Sequence, residues 1–277
     1  MCKVLITGAS GQVGYRLKEL ICSDYVVLSP SRKEFDLLNL KSIKRFISKE
    51  KPDFIVNCAA YTNVDLAEKE LEICKEVNSE AVLEIAKISA KHKTPLIHLS
   101  TDFVFDGLCE SEYTEESQTN PINHYGYTKL LGERNIINNH SEYIILRTSS
   151  VFDKDRGNNF FLKMLELYQT QTEVKVVCDL YSKPTSANFL AERIRDVLNK
   201  LVSTVDRKDL WGIYNICEYP KMTWFDFAMK ILEENKNLLK NKKISIVPVK
   251  SSEWNFIAKR PANSSLNIEK FKVTFPY

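Results

Sequence analysis

The sequence predicts an α/β protein in which a doubly wound parallel sheet carries a smaller C-terminal lobe. Two observations lead to this class. Apolar, strand-like runs alternate with helix-length amphipathic stretches along most of the 277 residues, a pattern typical of βαβ units. A glycine-rich segment also follows the first apolar run, where a strand would turn into a helix. A chain of this length can bury one large core and still form a smaller lobe beside it.

Seven short runs rich in apolar and β-branched residues predict strands at Lys3–Thr7, Tyr25–Leu28, Phe54–Cys58, Pro95–Ser100, Tyr143–Thr148, Val174–Val177 and Ile213–Ile216. Six amphipathic stretches predict helices at Gly11–Ile21, Leu40–Ser48, Glu72–His92, Tyr125–Asn138, Phe160–Leu167 and Ala187–Val202. Right-handed crossovers then place the loops after the strands at the carboxyl edge of the sheet, where ligands bind. The alternation weakens from about Cys217 onward. We therefore expect a sheet domain at 1–150 and 174–216, and the smaller lobe at 151–173 and 217–277.

The segment Gly8-Ala-Ser-Gly-Gln-Val-Gly14 holds three of the eight glycines of the chain within seven residues. A residue without a Cβ lets the backbone approach a pyrophosphate closely, and the amides of the following helix N-terminus hold the phosphates. An ordinary turn between a strand and a helix is the alternative. The position directly after the first strand favours a dinucleotide site in a Rossmann-type sheet.

Composition argues against several other classes. The net charge is +3, from 39 basic and 36 acidic residues, so we expect no nucleic-acid partner, and the Lys240–Lys243 stretch is interpreted as a solvated cluster. No apolar run reaches about 18 residues, and the first strand begins at once, so neither a membrane span nor a signal peptide is expected. Seven cysteines without a CxxC pair indicate reduced thiols in a cytoplasm. Four histidines without metal-ligand spacing indicate no metal centre.

Two further segments carry side chains suited to acid–base chemistry on a substrate oxygen. Thr101 and Asp102 directly follow the fourth predicted strand, and Tyr125 and Lys129 begin the next predicted helix. Residues four apart share a helix face, so Tyr125 and Lys129 can point to one place. A lysine ammonium beside a phenol favours the phenolate and should lower the tyrosine pKa toward the range of an acid–base catalyst. A surface Tyr–Lys pair is the alternative when the motif is taken alone.

Together these motifs resemble the extended short-chain dehydrogenase/reductase superfamily, and within it the dTDP-4-dehydrorhamnose reductase family. The resemblance extends over almost the whole chain. The segments that carry it are Gly8–Gly14, Asn57–Glu68, Leu99–Gly107, Thr119–Lys129, Arg147–Ser149 and Arg260–Ser264.

The resemblance implies NADPH-dependent reduction of the C4 ketone of a nucleotide-linked 6-deoxy-4-keto sugar, which gives dTDP-L-rhamnose from its 4-dehydro precursor. Tyr125 would protonate the developing alkoxide, and Thr101 would hydrogen-bond the same sugar oxygen. Lys129 would hold the nicotinamide ribose and tune Tyr125. The sheet domain would bind the dinucleotide, the smaller lobe would bind the nucleotide sugar, and the protein would be a cytoplasmic enzyme able to form a homodimer.

The resemblance also implies a set of contact residues. Besides Tyr125 and Lys129, those implied in cofactor binding are Gly8, Ser10, Gly11, Gln12, Val13, Gly14, Arg32, Asp36, Leu37, Ala59, Ala60 and Tyr61. Those implied in substrate binding are Thr101, Asp102, Phe103, Asn159, Arg260 and Asn263. Capping of the helix at Phe160 is an alternative role for Asn159, and a surface ion pair is an alternative for Arg260.

The end of the second strand bears on the choice of cofactor. NAD-dependent enzymes usually carry an Asp or Glu there, which binds the ribose 2′-hydroxyl. The corresponding stretch, Leu28-Ser-Pro-Ser-Arg-Lys33, contains no acid. Ser31 and Arg32 suit a 2′-phosphate instead, so we expect NADPH in preference to NADH, with a solvent-facing Arg32 as the alternative.

Three departures from the family pattern concern the substrate. Ser150 stands where the family usually has an aromatic residue, and Leu180 and Ser182 replace the usual Gln and Gly. They leave the sugar open, and a C4 epimerase or a regulatory subunit like the methionine adenosyltransferase β subunit remains an alternative. A sugar-nucleotide dehydratase is disfavoured, because Phe103 stands where such enzymes have an acid.

Overall fold

The computed structural model describes residues 1–237, 239 and 243–277. Its centre is a parallel sheet whose six strands are β1 (Lys3–Thr7), β2 (Val26–Leu28), β3 (Phe54–Asn57), β4 (Leu96–Thr101), β5 (Tyr143–Thr148) and β10 (Gly212–Asn215). Their order is β10-β5-β4-β3-β1-β2, and every neighbouring pair is parallel. From β1 the strand order continues to β2 on one side and to β3 on the other, so the loops after β1 and β3 flank a topological switch point. The predicted α/β class and parallel sheet are confirmed.

Helices cover both faces of this sheet. The helices in the described part of the chain are α1 (Gln12–Ile21), α2 (Leu40–Glu50), α3 (Val64–Ala67), α4 (Leu71–Lys75), α5 (Ala81–His92), α6 (His124–Asn139), α7 (Phe160–Thr170), α8 (Ala187–Ser203), α9 (Trp224–Glu234) and α10 (Glu269–Thr274). Leu17 of α1 and Leu190 of α8 belong to the apolar core on one face. Ile43 of α2, Ile85 of α5 and Ile136 of α6 belong to the core on the other face. The buried stripes of these helices are the apolar stripes of the sequence.

One predicted helix is divided in the structure. The sequence predicts a continuous helix over Glu72–His92, whereas α4 and α5 are separated by a π-helix at Glu76–Glu80. A Cβ at Gly132 of α6 would overlap the carbonyl oxygen of Asn78, so the widened turn lies directly against α6. This contact between helices distant in sequence cannot be read from local periodicity.

The smaller lobe has its own apolar core. Phe161 of α7 and Phe227 of α9 pack there against Phe152 and Val174. Its strands are short and pair two by two: β6 (Val151–Phe152) with β9 (Thr185–Ser186), β7 (Glu173–Val177) with β12 (Ser245–Val249), and β8 (Tyr181–Ser182) with β11 (Met222–Thr223).

Two contacts cross the domain boundaries expected from the sequence. The range 174–216 was assigned to the sheet domain, but β7 pairs with β12 over its full length and lies outside the six-stranded sheet. The range 217–277 was assigned to the lobe, but Phe271 and Phe275 pack edge-on against Tyr214 of β10 in the main core. In both cases burial of an apolar face against a distant segment decides the grouping.

Two remaining expectations concern surface properties. No helix in the described ranges is both long enough and apolar enough to cross a bilayer. Of the lysines in the 240–243 cluster, Lys240 and Lys242 lie outside the described residues, and Lys243 is exposed.

Candidate active site

The turn after β1 has no room for a side chain at Gly8. Its φ of 66° lies in the left-handed region, and a Cβ there would lie 2.8 Å from the backbone nitrogen and Cα of Ala59. A Cβ at Gly14 would overlap the carbonyl oxygen of Gly8, and the Gly11 amide donates to that same oxygen at 2.9 Å. The glycines therefore let the loops after β1 and β3 touch at the switch point.

Helix α1 starts at this turn without a side-chain cap. Its N-cap is Gly11, whereas Asn, Ser or Thr side chains cap α2, α6, α7, α8 and α9. The amides of its first turn are therefore available to an anion. Ser10 and Gly11 are exposed, and Val13 is buried in the core. This cradle fits the pyrophosphate of a dinucleotide.

We expect Gly8→Ala to weaken NADPH binding at least about tenfold, because a non-glycine residue in this backbone conformation costs about 1–2 kcal/mol and its Cβ displaces Ala59. Gly212→Ala is the matched control, since Gly212 has a φ of 140° but no atom within 4 Å of its Cβ position. Fluorescence titration of NADPH measures both dissociation constants. Equal affinities in the two variants would contradict the role of Gly8.

The loop after β3 is held by the π-helix. The Tyr61 amide donates to Asn78 Oδ1 at 2.9 Å, and Asn78 Nδ2 donates to the Tyr61 carbonyl at 3.0 Å. The Tyr61 hydroxyl donates to Glu70 at 2.8 Å. Ala59 and Ala60, both partly buried, lie between this clamp and Gly8. The predicted lining of the cofactor cleft is therefore a fixed backbone loop.

Helix α6 begins against the end of β4. Asn123 caps it by accepting from the Gly126 amide at 2.8 Å, and a Cβ at Gly126 would overlap the carbonyl oxygen of Phe103. The rings of Phe103 and Tyr125 meet edge to face, with centroids 5.9 Å apart. Thr101 lies close enough to Tyr125 to act on its pKa. The structure thus brings the two predicted motifs together.

The pKa of Tyr125 differs from the expected one. Burial raises it above the ordinary value of 10, and the nearby Asp102 carboxyl raises it further, while the hydrogen bond with Thr101 lowers it. The expected lowering by Lys129 is absent, because the Lys129 ammonium faces the other way and donates to the Leu99 carbonyl at 2.7 Å. Tyr125 is therefore protonated at neutral pH, as a proton donor must be.

Lys129 is buried almost completely, with 1% of its surface exposed. Its Nζ lies 3.3 Å from His98 Nε2. Burial lowers the pKa of Lys129 to about 8, against the raising effect of Glu133 one turn further along α6. The charge of this lysine therefore changes close to physiological pH.

Asp102 is a buried carboxyl whose two oxygens are both occupied. Thr101 Oγ1 donates to one at 3.0 Å, and Ser149 Oγ donates to the other at 2.6 Å. Burial raises the pKa of Asp102 to about 6, although these hydrogen bonds lower it. The structure makes Asp102 a partner of Thr101.

The other predicted substrate residues also bond to protein groups. Asn159 caps α7 by accepting from the Leu162 amide at 3.0 Å, and its Nδ2 donates to Gln12 at 2.8 Å. Arg260 forms a bidentate pair with Asp65, at 2.9 and 2.8 Å. Asn263 Nδ2 donates to the carbonyls of Cys109 and Ser111. Both alternative roles, the cap and the ion pair, are thus present, although Arg260 is mostly buried.

The segment after β2 is open to solvent. Arg32 is 80% exposed, and its Nε lies 3.7 Å from Asp36. Asp36 also accepts from the Leu38 amide at 3.1 Å, and Leu37 packs against the core. The carboxylate of Glu34, which lies outside the stretch considered in the sequence, accepts from the Ser31 amide and hydroxyl. Both donors of Ser31 are thus bound to Glu34, whereas Arg32, exposed and held by the long contact with Asp36, can meet a phosphate.

The sequence analysis gave no role to four polar residues of this site: Asn57, Asn78, His98 and Ser149. Each is buried. The signal available for His98 is a single titratable residue inside an otherwise apolar strand, Pro95-Leu-Ile-His-Leu-Ser100. Burial of such a group costs free energy unless it is hydrogen-bonded, so the partner must come from elsewhere in the fold.

A glycine turn at the switch point, an uncapped first helix, and Tyr125 and Lys129 at the same sheet edge define an extended short-chain dehydrogenase/reductase. Solved structures of that class share the fold. UDP-glucose 4-epimerase from Thermus thermophilus in complex with NAD has a TM-score of 0.78 at 18% identity, over 98% of this chain and 92% of that chain.

Closer similarity identifies the family. Residues 2–277 match the RmlD substrate binding domain, and the chain belongs to that family. It is 35% identical to the dTDP-4-dehydrorhamnose reductase of Aggregatibacter actinomycetemcomitans, over 99% of this chain and 94% of that protein. The dTDP-4-dehydrorhamnose reductase of Bacillus anthracis, solved in complex with NADP, has a TM-score of 0.88 at 32% identity, over 98% of this chain and 92% of that one. The corresponding enzyme of Clostridium acetobutylicum has a TM-score of 0.89 at 30% identity, with coverages of 98% and 92%.

Proposed function

We propose that this protein is an NADPH-dependent reductase of a nucleotide-linked 6-deoxy-4-keto sugar, and that it converts dTDP-4-dehydrorhamnose to dTDP-L-rhamnose. The observation that carries the proposal is the packing of Tyr125, which is protonated at neutral pH, against Phe103 in the turn that follows Thr101, at the sheet edge that also holds the uncapped α1. Membership of a family whose relatives bear the name of this reaction supports the choice of sugar.

When bound, NADPH supplies the hydride that adds to the C4 carbonyl carbon. Tyr125 donates its phenolic proton to the carbonyl oxygen as negative charge develops there. The Thr101 hydroxyl, which donates to Asp102 in the structure, would turn to donate to the same oxygen and so orient the carbonyl toward Tyr125. The Lys129 ammonium, below its pKa of about 8, binds the nicotinamide ribose.

The two parts of the chain divide these tasks. The sheet domain binds the dinucleotide through Gly8 to Gly14, and the lobe closes over the sugar. The contacts of α1 with the lobe support this division, since Arg16 forms a bidentate pair with Asp153 at 2.6 and 2.7 Å and Arg156 lies 3.3 Å above the Tyr15 ring.

The proposal extends to a cytoplasmic homodimer. The seven cysteines, all without a disulfide, support a reducing compartment. Light scattering behind a size-exclusion column tests the assembly, because a dimer elutes with twice the chain mass of 32.0 kDa.

The test of the function is the loss of NADPH absorbance when dTDP-4-dehydrorhamnose is added. We expect substrate-dependent oxidation, with dTDP-L-rhamnose as the product identified by mass and by NMR. NADPH binding without turnover would assign the site to another sugar, and a stoichiometric partner protein without any turnover would favour the regulatory subunit.

Cofactor preference has its own prediction. Arg32→Ala should raise the KM for NADPH about tenfold and leave that for NADH unchanged, because an exposed phosphate–arginine pair contributes about 1.4 kcal/mol or less. Lys33→Ala, an equally exposed neighbour, is the control. Equal kcat/KM for both cofactors in the unmodified protein would show that the preference for NADPH is wrong.

A further inference from the structure

A buried series of hydrogen bonds connects the loop after β3 with Lys129. The Ala59 amide donates to Thr7 Oγ1 at 3.3 Å, and Thr7 Oγ1 lies 2.5 Å from Asn57 Oδ1. Asn57 Nδ2 lies 2.9 Å from His98 Nδ1, and His98 Nε2 lies 3.3 Å from Lys129 Nζ. The residues of this series lie on β1, β3, β4 and α6.

The donors and acceptors in this series of hydrogen bonds can be arranged in two directions. In one, Asn57 Nδ2 donates to His98 Nδ1, so the imidazole proton is on Nε2 and points at Lys129 Nζ. An ammonium has no lone pair to accept it, and this direction therefore requires the neutral amine. In the other, the Asn57 amide is turned over: Oδ1 accepts from His98 Nδ1–H, and Nδ2 donates to Thr7 Oγ1, which no longer donates to Asn57 as it does in the structure. His98 Nε2 then accepts from the Lys129 ammonium.

We propose that Asn57 and His98 are positioning residues that set the charge of Lys129: the orientation of the Asn57 amide selects the His98 tautomer, and that tautomer decides whether Lys129 Nζ donates or accepts. This inference rests on the proposed function only for its consequence, the hold of Lys129 on the cofactor ribose. The ammonium donates one hydrogen bond to the Leu99 carbonyl and one to His98 Nε2. Its third N–H can then donate to a ribose hydroxyl.

The neighbours of Lys129 leave it as the group that titrates near pH 8. The titratable and charged groups that act on it are Glu133 on α6, His98 on β4, Cys58 after β3, and Cys74 on α4. Burial raises the pKa of both thiols, that of Cys58 to about 12, and burial together with Lys129 lowers the pKa of His98 well below its ordinary value. Glu133 is held by Arg147 at 2.6 Å.

The sharpest test measures the unmodified protein and uses one variant only to assign a signal. Nitrogen NMR of imidazole-labelled protein reports which nitrogen of His98 carries the proton, and the carbon shift of Lys129 Cε reports its charge, with Lys129→Met for assignment. We expect the His98 proton to move from Nδ1 to Nε2 at the same pH at which Lys129 loses its charge. A tautomer that stays unchanged through the Lys129 titration would overturn the proposal. Both readings use the substrate-free protein, so they hold whether or not the sugar is reduced.

Two substitutions distinguish the role of His98 Nδ1 from that of His98 Nε2. In His98→Gln the amide oxygen reaches the position of Nε2 and accepts from Lys129, whereas in His98→Asn it reaches only the position of Nδ1. We expect the Lys129 titration, and with it the loss of NADPH affinity at high pH, to fall by about one pH unit in His98→Asn and to stay in place in His98→Gln. A loss of packing alone would lower affinity equally at every pH, so equal profiles for the two variants would overturn the assignment.

Discussion

Replacement of Tyr125 by Phe should reduce kcat about a thousandfold and leave the dissociation constant of NADPH within about twofold. The ring and its edge contact with Phe103 remain, while the proton donor is lost, and a positioned acid contributes about 10²–10⁴-fold. Stopped-flow measurement of NADPH oxidation gives the rate, and fluorescence titration gives the affinity.

Tyr127→Phe is the matched control, since Tyr127 lies on the same helix and is 47% exposed. It should retain full activity. A Tyr125→Phe variant that turns over at the rate of this control would exclude Tyr125 as the donor, and another acid at the site would have to supply the proton.

The second large effect concerns stability. Glu133 and Arg147, with side chains 1% and 3% exposed, form a bidentate ion pair beneath the site. Ser100 Oγ also donates to Glu133 at 2.5 Å. Glu133→Ala leaves the buried guanidinium unpaired, so we expect the free energy of unfolding to fall by about 3–5 kcal/mol and Tm by roughly 10 °C.

Glu166→Ala provides the comparison, because it breaks the exposed Lys163–Glu166 pair of α7, and such pairs contribute about 0–1 kcal/mol. Differential scanning calorimetry and urea unfolding measure both variants. A Glu133→Ala protein as stable as Glu166→Ala would mean that solvent or another carboxylate compensates Arg147. Loss of Glu133 should also lower the pKa of Lys129, since Glu133 raises it.

The strands of the sheet were predictable from sequence because each is a short apolar run that needs no partner to be recognised. The observed β4 and β5 begin and end within about a residue of the predicted runs. The glycine turn was predictable for a related reason. The left-handed φ of Gly8 is a local requirement, and a glycine in the sequence indicates it.

Contacts between distant segments were not predictable in this way. The sequence of β7 does not show whether it joins the main sheet or pairs with β12, because that depends on which strand lies beside it in the folded protein. The assignment of Arg260 to Asp65, 195 residues away, depends equally on the meeting of the two segments. The pKa direction of Tyr125 was wrong for the same reason, because the spacing of Tyr125 and Lys129 carries no information about the Leu99 carbonyl that turns the ammonium away.

The sequence by itself determined the α/β class, the position of the glycine turn and the three side chains of the proposed proton-transfer site. These follow from periodicity and from residue chemistry, which act over a few neighbouring residues. Only the tertiary structure decided the protonation of that site and the partners of its buried polar groups, Asn57 and His98 among them. Desolvation and hydrogen bonding inside a core depend on which atoms surround a group, and those atoms come from strands and helices far apart along the chain.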